Sequence, residues 1–205
     1  MSSLPPRHEI RTSGFHCKGV IYVETLRFLD EHTDAGRAAV LDAIEDEDRR
    51  AFLGQPFIVG GWYDVIHMEE LFRTAARVTG VPYLDLLRRV ASWLLPQQIR
   101  GIYKFILVFA TPDMVMKNLA RTARTYFDFV NTEVTAKGPG HYESAGGNVP
   151  LAMSSAYMVV TEIALKVILE NAGAKGLKQR WLPTEPQGKV RGVDVVCVRR
   201  VVSWE

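Results

Sequence analysis

The stretch Ile99–Phe109 carries apolar side chains nearly all the way round. A segment of that kind is stable only when covered from more than one direction, so it belongs at the centre of whatever the chain builds. Its pattern predicts a central helix packed on several sides, although periodicity alone does not exclude a buried strand. Val193–Val202 makes a similar demand. Val193, Val195 and Cys197 alternate as on one strand face, and Val196, Val198, Val201 and Val202 fill the other, as in a strand covered on both sides. In a chain of 205 residues, a length for one large domain, the simplest cover is for these two segments to pack on each other. Val115, Leu119, Tyr157 and Val160 would close that layer, and a ligand pocket would open beside it. Trp62, Tyr63, Tyr103 and Tyr157 are the candidate walls, aromatic bodies with polar tips.

The rest of the chain is punctuated clearly. Residues 1–14 read as a loosely docked arm, with Pro5 and Pro6 blocking regular structure, and residues 15–205 as a single domain. Gly19–Leu29 predicts a helix. Asp34 is the candidate cap of a second one that continues to Phe52 and stops at Gly54 and Pro56. Tyr63–Thr79 predicts a helix with Val65, Met68, Phe72 and Ala75 inward, closed by Gly80. The next starts at Pro82 and breaks at Leu95-Pro96. Thr111-Pro112-Asp113 opens a helix that runs through Leu119, Ala123, Tyr126 and Val130. Two short strands around Gly138-Pro139-Gly140 follow, then a helix from about Pro150 to Glu170. The tail predicts a strand over Leu177–Leu182, a turn from Pro183 to Gly188, and a strand over Val190–Trp204. Helices first and strands last give an α+β fold, an N-terminal helical layer packed on a small antiparallel sheet with an inserted helix.

Composition narrows the function classes. Apolar residues make up 47% and charged residues 23%, with a net charge of +2, so disorder is excluded. Charge is unevenly spread, with nine acidic and four basic residues over Glu24–Arg50 against three acidic and eight basic over Lys166–Arg200. This reads first as two solvated surfaces. Lys117, Arg121 and Arg124 form a basic stripe on their helix, but no recognition helix or aromatic RNA-binding pattern accompanies them. Binding to nucleic acid is accordingly not expected, and a nucleic-acid-associated regulator stands as an alternative. Cys17 and Cys197 are expected to be reduced and unpaired. The N-terminus has no apolar core of a secretory signal, and the run Phe105–Ala110 is too short to cross a bilayer, which takes about 20 residues. A cytoplasmic protein without a membrane span is expected.

No motif carries chemistry strongly. Phosphate loops and nucleophile elbows are absent, and Gly60-Gly61 and Gly146-Gly147 read as turn glycines. His16-Cys17 offers two adjacent metal ligands without the repeated pair that zinc sites use. Glu45–Asp48 lacks the spacing of a calcium loop and reads as a solvated helix face. Asp64, His67 and Glu70 fall three apart on a predicted helix, where a carboxylate can orient an imidazole for acid–base work. The same spacing arises by chance on surface helices. No catalytic residue and no metal site is therefore assigned, and a small enzyme using Asp64 and His67 is the alternative reading.

Glu70–Gly80 followed by Tyr83–Val90 resembles the early helices of haem–nitric-oxide-binding domains, as does the opening Lys18–Leu29. Ile102–Ile106, Thr111–Met116 and the passage Tyr126–Val134 are similar to the related vinyl-reductase-type and transport-protein-particle ligand-binding domains, and most of all to a family of myxobacterial paralogues. The resemblance spans roughly Lys18–Trp204. It implies a helical layer over a sheet, an apolar pocket and dimerisation. Haem-binding members of this superfamily carry a proximal histidine on a central helix and a Tyr-x-Ser-x-Arg propionate clamp. Neither Ile99–Ala110 nor Pro112–Val130 contains a histidine and the clamp is missing, so no cofactor is expected. The expectation is a non-enzymatic sensor or adaptor that binds a small apolar ligand or a protein partner, as a homodimer. Trp62, Tyr63, His67, Tyr103 and Tyr157 are its candidate ligand-binding residues.

Overall fold

The computed structural model describes residues 13–100 and 110–205, with residues 96–100 as backbone only. Side chains of the apolar Ile99–Phe109 segment, Tyr103 included, thus lie outside the described residues. Ser13 is buried and donates its backbone N–H to Asp64 Oδ2 at 3.1 Å.

A short strand, β1 (His16–Lys18), pairs antiparallel with β2 (Trp62–Asp64). The pairing is what removes Tyr63–Ile66 from the helix expected there. Phe15 and Cys17 alternate inward while His16 and Lys18 stay partly exposed, the period of a strand. Between these strands lie α1 (Gly19–His32), α2 (Gly36–Asp42) and α3 (Glu47–Gly54). The single helix expected over Asp34–Phe52 is two. Asp46 breaks it, because its carboxylate accepts Arg49 N at 3.1 Å and caps α3. Asp34 caps nothing; Asp30 of α1 takes the Arg37 N–H of α2 at 2.9 Å instead. The Glu45–Asp48 cluster is therefore a helix start.

Two longer helices complete the layer: α4 (His67–Thr79), ended by Gly80 at φ 69°, and α5 (Tyr83–Arg100), which continues through Pro96 where a break was expected. Their buried sides, Met68, Leu71, Phe72 and Ala75 with Leu86, Leu87 and Val90, join Tyr22, Leu26 and Leu29 of α1 in the main core. Helices α6 (Pro112–Lys117) and α7 (Leu119–Tyr126) replace one expected helix. Thr111 caps α6 by accepting Met114 N at 3.3 Å. Asn118 then turns the chain, its amide donating back to Met114 O at 2.8 Å, since asparagine competes well for nearby backbone groups.

The sheet is antiparallel throughout, in the order β3 (Asn131–Gly138), β4 (His141–Pro150), β7 (Val193–Ser203), β5 (Lys178–Trp181), with β6 (Glu185–Val190) also on β7. Strand β6 pairs with the first half of β7 and β5 with the second. The segment Pro183–Gly188, expected as a turn, is largely strand, and the turn falls at Arg191-Gly192. Strand β7 is not covered on both faces along its length. Val193 and Val195 are buried, the parity then shifts, and Val196, Val198, Arg200 and Val202 are buried while Cys197, Arg199 and Val201 are part-exposed. A register irregularity between Gly146 and Val149 on β4 accompanies the shift. The outer face carries charge instead: Arg199 reaches Glu143 at 2.6 Å and Glu185 at 2.9 Å.

One turn of 3₁₀ helix (Leu151–Met153) leads into α8 (Ser154–Asn171). Leu151–Asn171 is long and apolar enough to cross a membrane by length and composition, a property that unbroken apolar runs do not reveal because Glu162 and Lys166 interrupt it. In this fold it does not span. The strands before and after it, β4 and β5, both hydrogen-bond to β7, so both ends of α8 stay on one sheet.

Candidate functional site

Helix α8 explains its own composition when its faces are separated. Ala156, Tyr157, Val160, Thr161, Ala164, Leu165 and Ile168 recur at helical spacing and form one stripe. That stripe walls a cavity of about 550 Å³, within the size range of small-molecule sites. Helix α7 faces it with Leu119, Thr122, Ala123 and Tyr126, the apolar spacing that marks this segment in the sequence. This helix contains no fully buried residue; its inward face borders the cavity instead of packed side chains. Met68, Phe72, Val90 and Leu94 close the side of the helical layer, and Val149 and Val198 the side of the sheet. The described core falls into three apolar clusters, and each contributes to this wall. Small residues keep the space open: Ala123, Ala145, Gly146, Ala156 and Ala164 all line it. Gly146 lets strand and helix approach closely, since a Cβ there would meet Tyr157 Oη at 3.2 Å. The exposed Asn118, Arg121 and Thr125 border the same space.

Among the described lining residues, one charged side chain is buried. Arg200 lines the cavity and is 5% exposed. Its Nε donates to Ser144 Oγ at 3.2 Å, and its Nη1 to Thr161 O at 2.9 Å and Gln179 Oε1 at 3.3 Å. Trp181 lies against the guanidinium at 5.0 Å. Burial pulls the Arg200 pKa down to about 10, opposed by the charges of Tyr157 and Glu162. The Tyr157 hydroxyl is pushed up by burial. Thr132 Oγ1, in the same wall, is close enough to act on that hydroxyl but outside hydrogen-bonding geometry, and is buried without a hydrogen-bond partner.

Of the residues singled out in the sequence, Tyr157 lies in this wall, and so do Val115, Leu119 and Val160, expected to close the core layer. Trp62, Tyr63 and His67 do not. Trp62 is 43% exposed beneath the Lys18 ammonium, 4.0 Å from its ring. Tyr63 Oη accepts Ile58 N at 2.9 Å and packs edge-on against Phe57. His67 is 2% exposed, its ring 5.0 Å from that of Phe52. Nor does Asp64 present its carboxylate to His67 as a base would require. Oδ1 accepts Ile66 N at 3.1 Å and Oδ2 accepts Ser13 N, so the group holds backbone. His16 and Cys17 diverge as strand neighbours do: His16 Nδ1 meets Asp128 Oδ2 at 2.6 Å, while Cys17 is buried. Among the described residues no cluster of three or more His, Cys, Asp or Glu is placed to hold a metal. Arg200 was missed by sequence reasoning. Its signal is parity, for it shares a strand face with Val198 and Val202 where an apolar residue is expected.

No family model and no curated protein sequence matches this chain. Solved structures do. A mutant of the Fe(II) unliganded H-NOX protein from K. algicida is 15% identical over 92% of this chain and 96% of its own, with a TM-score of 0.63. A point variant of Tt H-NOX is 9% identical with a TM-score of 0.65, covering 92% and 95%. An oxygen-binding H-NOX domain related to soluble guanylate cyclases is 10% identical over the same shares, with a TM-score of 0.61. Haem distortion has been probed in that family, which raises the question of haem in this cavity. Its described wall contains no histidine and no cysteine. Of the five histidines, His8 lies outside the described residues and His16, His32, His67 and His141 lie elsewhere. A histidine-ligated haem does not fit these residues. In architecture, though not in the lining of its cavity, this chain has the H-NOX fold.

Proposed function

We propose that this protein is a non-enzymatic sensor or adaptor domain that holds a small apolar ligand between its helical layer and its sheet. One observation carries the reading: α7 and α8 turn their apolar stripes toward about 550 Å³ of open space. An apolar face is stabilised by losing contact with water, and an occupant would complete that burial. The absence of an assembled acid–base or nucleophilic group in this wall, among the described residues, favours binding over turnover. As an adaptor the domain would pass occupancy on to a protein partner or to a second copy of itself.

Native mass spectrometry of protein purified from its own host tests the proposal directly. A co-purified small molecule that is released on denaturation, and absent from an Ala164→Trp variant that remains folded, is the expected result. Haemin offered to the stripped protein should give no stoichiometric Soret band. Loss-free binding by the Ala164→Trp variant would place the ligand elsewhere and overturn the proposal.

A further inference from the structure

The cavity carries a buried cation with which no described carboxylate forms an ion pair. Arg200 sits at 5% exposure in a wall built mainly of apolar side chains. All three of its hydrogen bonds go to neutral acceptors, Ser144 Oγ, Thr161 O and Gln179 Oε1. Among the described residues no carboxylate pairs with it, and its Nη2 has no hydrogen-bond partner. Glu162 acts on Arg200 through its charge, yet commits Oε2 to Trp181 Nε1 at 2.7 Å. Buried guanidinium groups are normally paired, because removing a charge from water costs several kcal/mol. A further donor stands nearby without a hydrogen-bond partner among the described residues, the buried Thr132 hydroxyl.

Resting on the reading above that the cavity binds an apolar molecule, we infer that this molecule is an amphiphile with a carboxylate head, seated at Arg200. Its body would lie along Ala156, Val160 and Ala164, and its head would accept from the free guanidinium edge and from the Thr132 or Tyr157 hydroxyl. A charged acceptor at a guanidinium makes a stronger hydrogen bond than a neutral one. The free ligand gives up hydration that Arg200 has already lost, so the site reads charge and not merely greasiness. Burial also depresses the guanidinium pKa, and an anion would reverse part of that effect. A ligand with a neutral head would leave the cation as it is.

Dodecanoic acid and dodecanol share a chain and differ at the head, which separates the two claims. Both would be titrated into ligand-free full-length protein at neutral pH, followed by calorimetry. The acid should bind at least tenfold more tightly than the alcohol. Arg200→Met should bring the acid down to the affinity of the alcohol while leaving the alcohol within about twofold, and Arg200→Lys should restore part of the difference. Equal affinities in the wild-type protein would overturn the assignment of the head group and leave the cavity reading standing. If neither compound binds, the cavity reading falls and this inference with it. The wild-type comparison decides the matter even if Arg200→Met fails to fold.

Discussion

Replacing Ala164 with leucine distinguishes an open cavity from a filled core by the sign of its effect. Ala164 lies on the inward stripe of α8 and lines the cavity. In a packed interior three added carbons force neighbours off their rotamers and cost about 1–3 kcal/mol. Facing open space they find room. Burial of a methylene is worth about 0.8 kcal/mol, so three contribute roughly 2.4 kcal/mol. Fixing the new side chain costs about 0.5–1 kcal/mol, and alanine-to-leucine is nearly neutral for the helix. The net expectation is a gain of about 1.5 kcal/mol, which for a chain of this size raises Tm by about 3–6 °C. Urea unfolding of ligand-free protein should show a higher midpoint at an unchanged slope. Leu165, the next residue, is 1% exposed, and Leu165→Ala should cost about 2–5 kcal/mol as a deletion from packed core. Destabilisation of more than about 1 kcal/mol by Ala164→Leu would refute the reasoning, because the stripe would then face atoms.

Three other outcomes follow from particular groups. Asp64→Ala removes the acceptor of the Ser13 and Ile66 N–H groups. Each unsatisfied buried group costs about 1–3 kcal/mol, so a clear drop in urea midpoint is expected, and an unchanged one would show that Asp64 is not structural. Burial, then the charges of Asp64 and Asp128, hold the Cys17 thiol far above its usual range, whereas Cys197 is part-exposed. Iodoacetamide should therefore modify Cys197 in the native protein and Cys17 only after unfolding, as peptide mapping would report; early labelling of Cys17 contradicts the burial. Glu69 is raised above 4.5 by burial, against the pull of the Tyr83 hydroxyl and Arg73. A raised folded-state pKa contributes stability at low pH that is lost as pH climbs through the folded value. Glu69→Gln should thus gain on the wild type as pH rises above 4.5 in urea titrations, and a pH-independent difference would exclude Glu69 as the titrating group.

Local signals in the sequence were strong wherever one residue decides one feature. Gly80 ends α4 in the left-handed region, Thr111-Pro112 starts α6, and Gly138-Pro139-Gly140 turns β3 into β4. The inward spacing of α8 and α7 was legible too, and Tyr157, Val160 and Leu119 emerged from it as wall residues. Helical periodicity identifies a face by its dislike of water. It does not report whether packed side chains or empty space lies opposite, because the spacing records only which side the apolar residues share.

Which aromatic residues line the cavity was decided by contacts distant along the chain. Trp62, Tyr63 and His67 look like pocket residues because they are aromatic or titratable and lie close together in sequence. The pairing of His16–Lys18 with Trp62–Asp64 instead makes that region a brace, held by Asp64 to Ser13, 51 positions earlier. Arg200 was invisible for the opposite reason. One of two adjacent arginines in a basic tail reads as solvated, and only the shift in strand parity at Val195–Val196 decides that Arg199 turns outward to Glu143 and Glu185 while Arg200 turns inward to a cavity. By itself the sequence determined the α+β class, most element types, and which stripes must avoid water, because these depend on residues within a few turns of one another. Tertiary structure alone decided where three apolar clusters of the described residues leave a cavity between them and which charge lines it. Those depend on the register of strands far apart in the chain, where a slip of one residue exchanges the two faces.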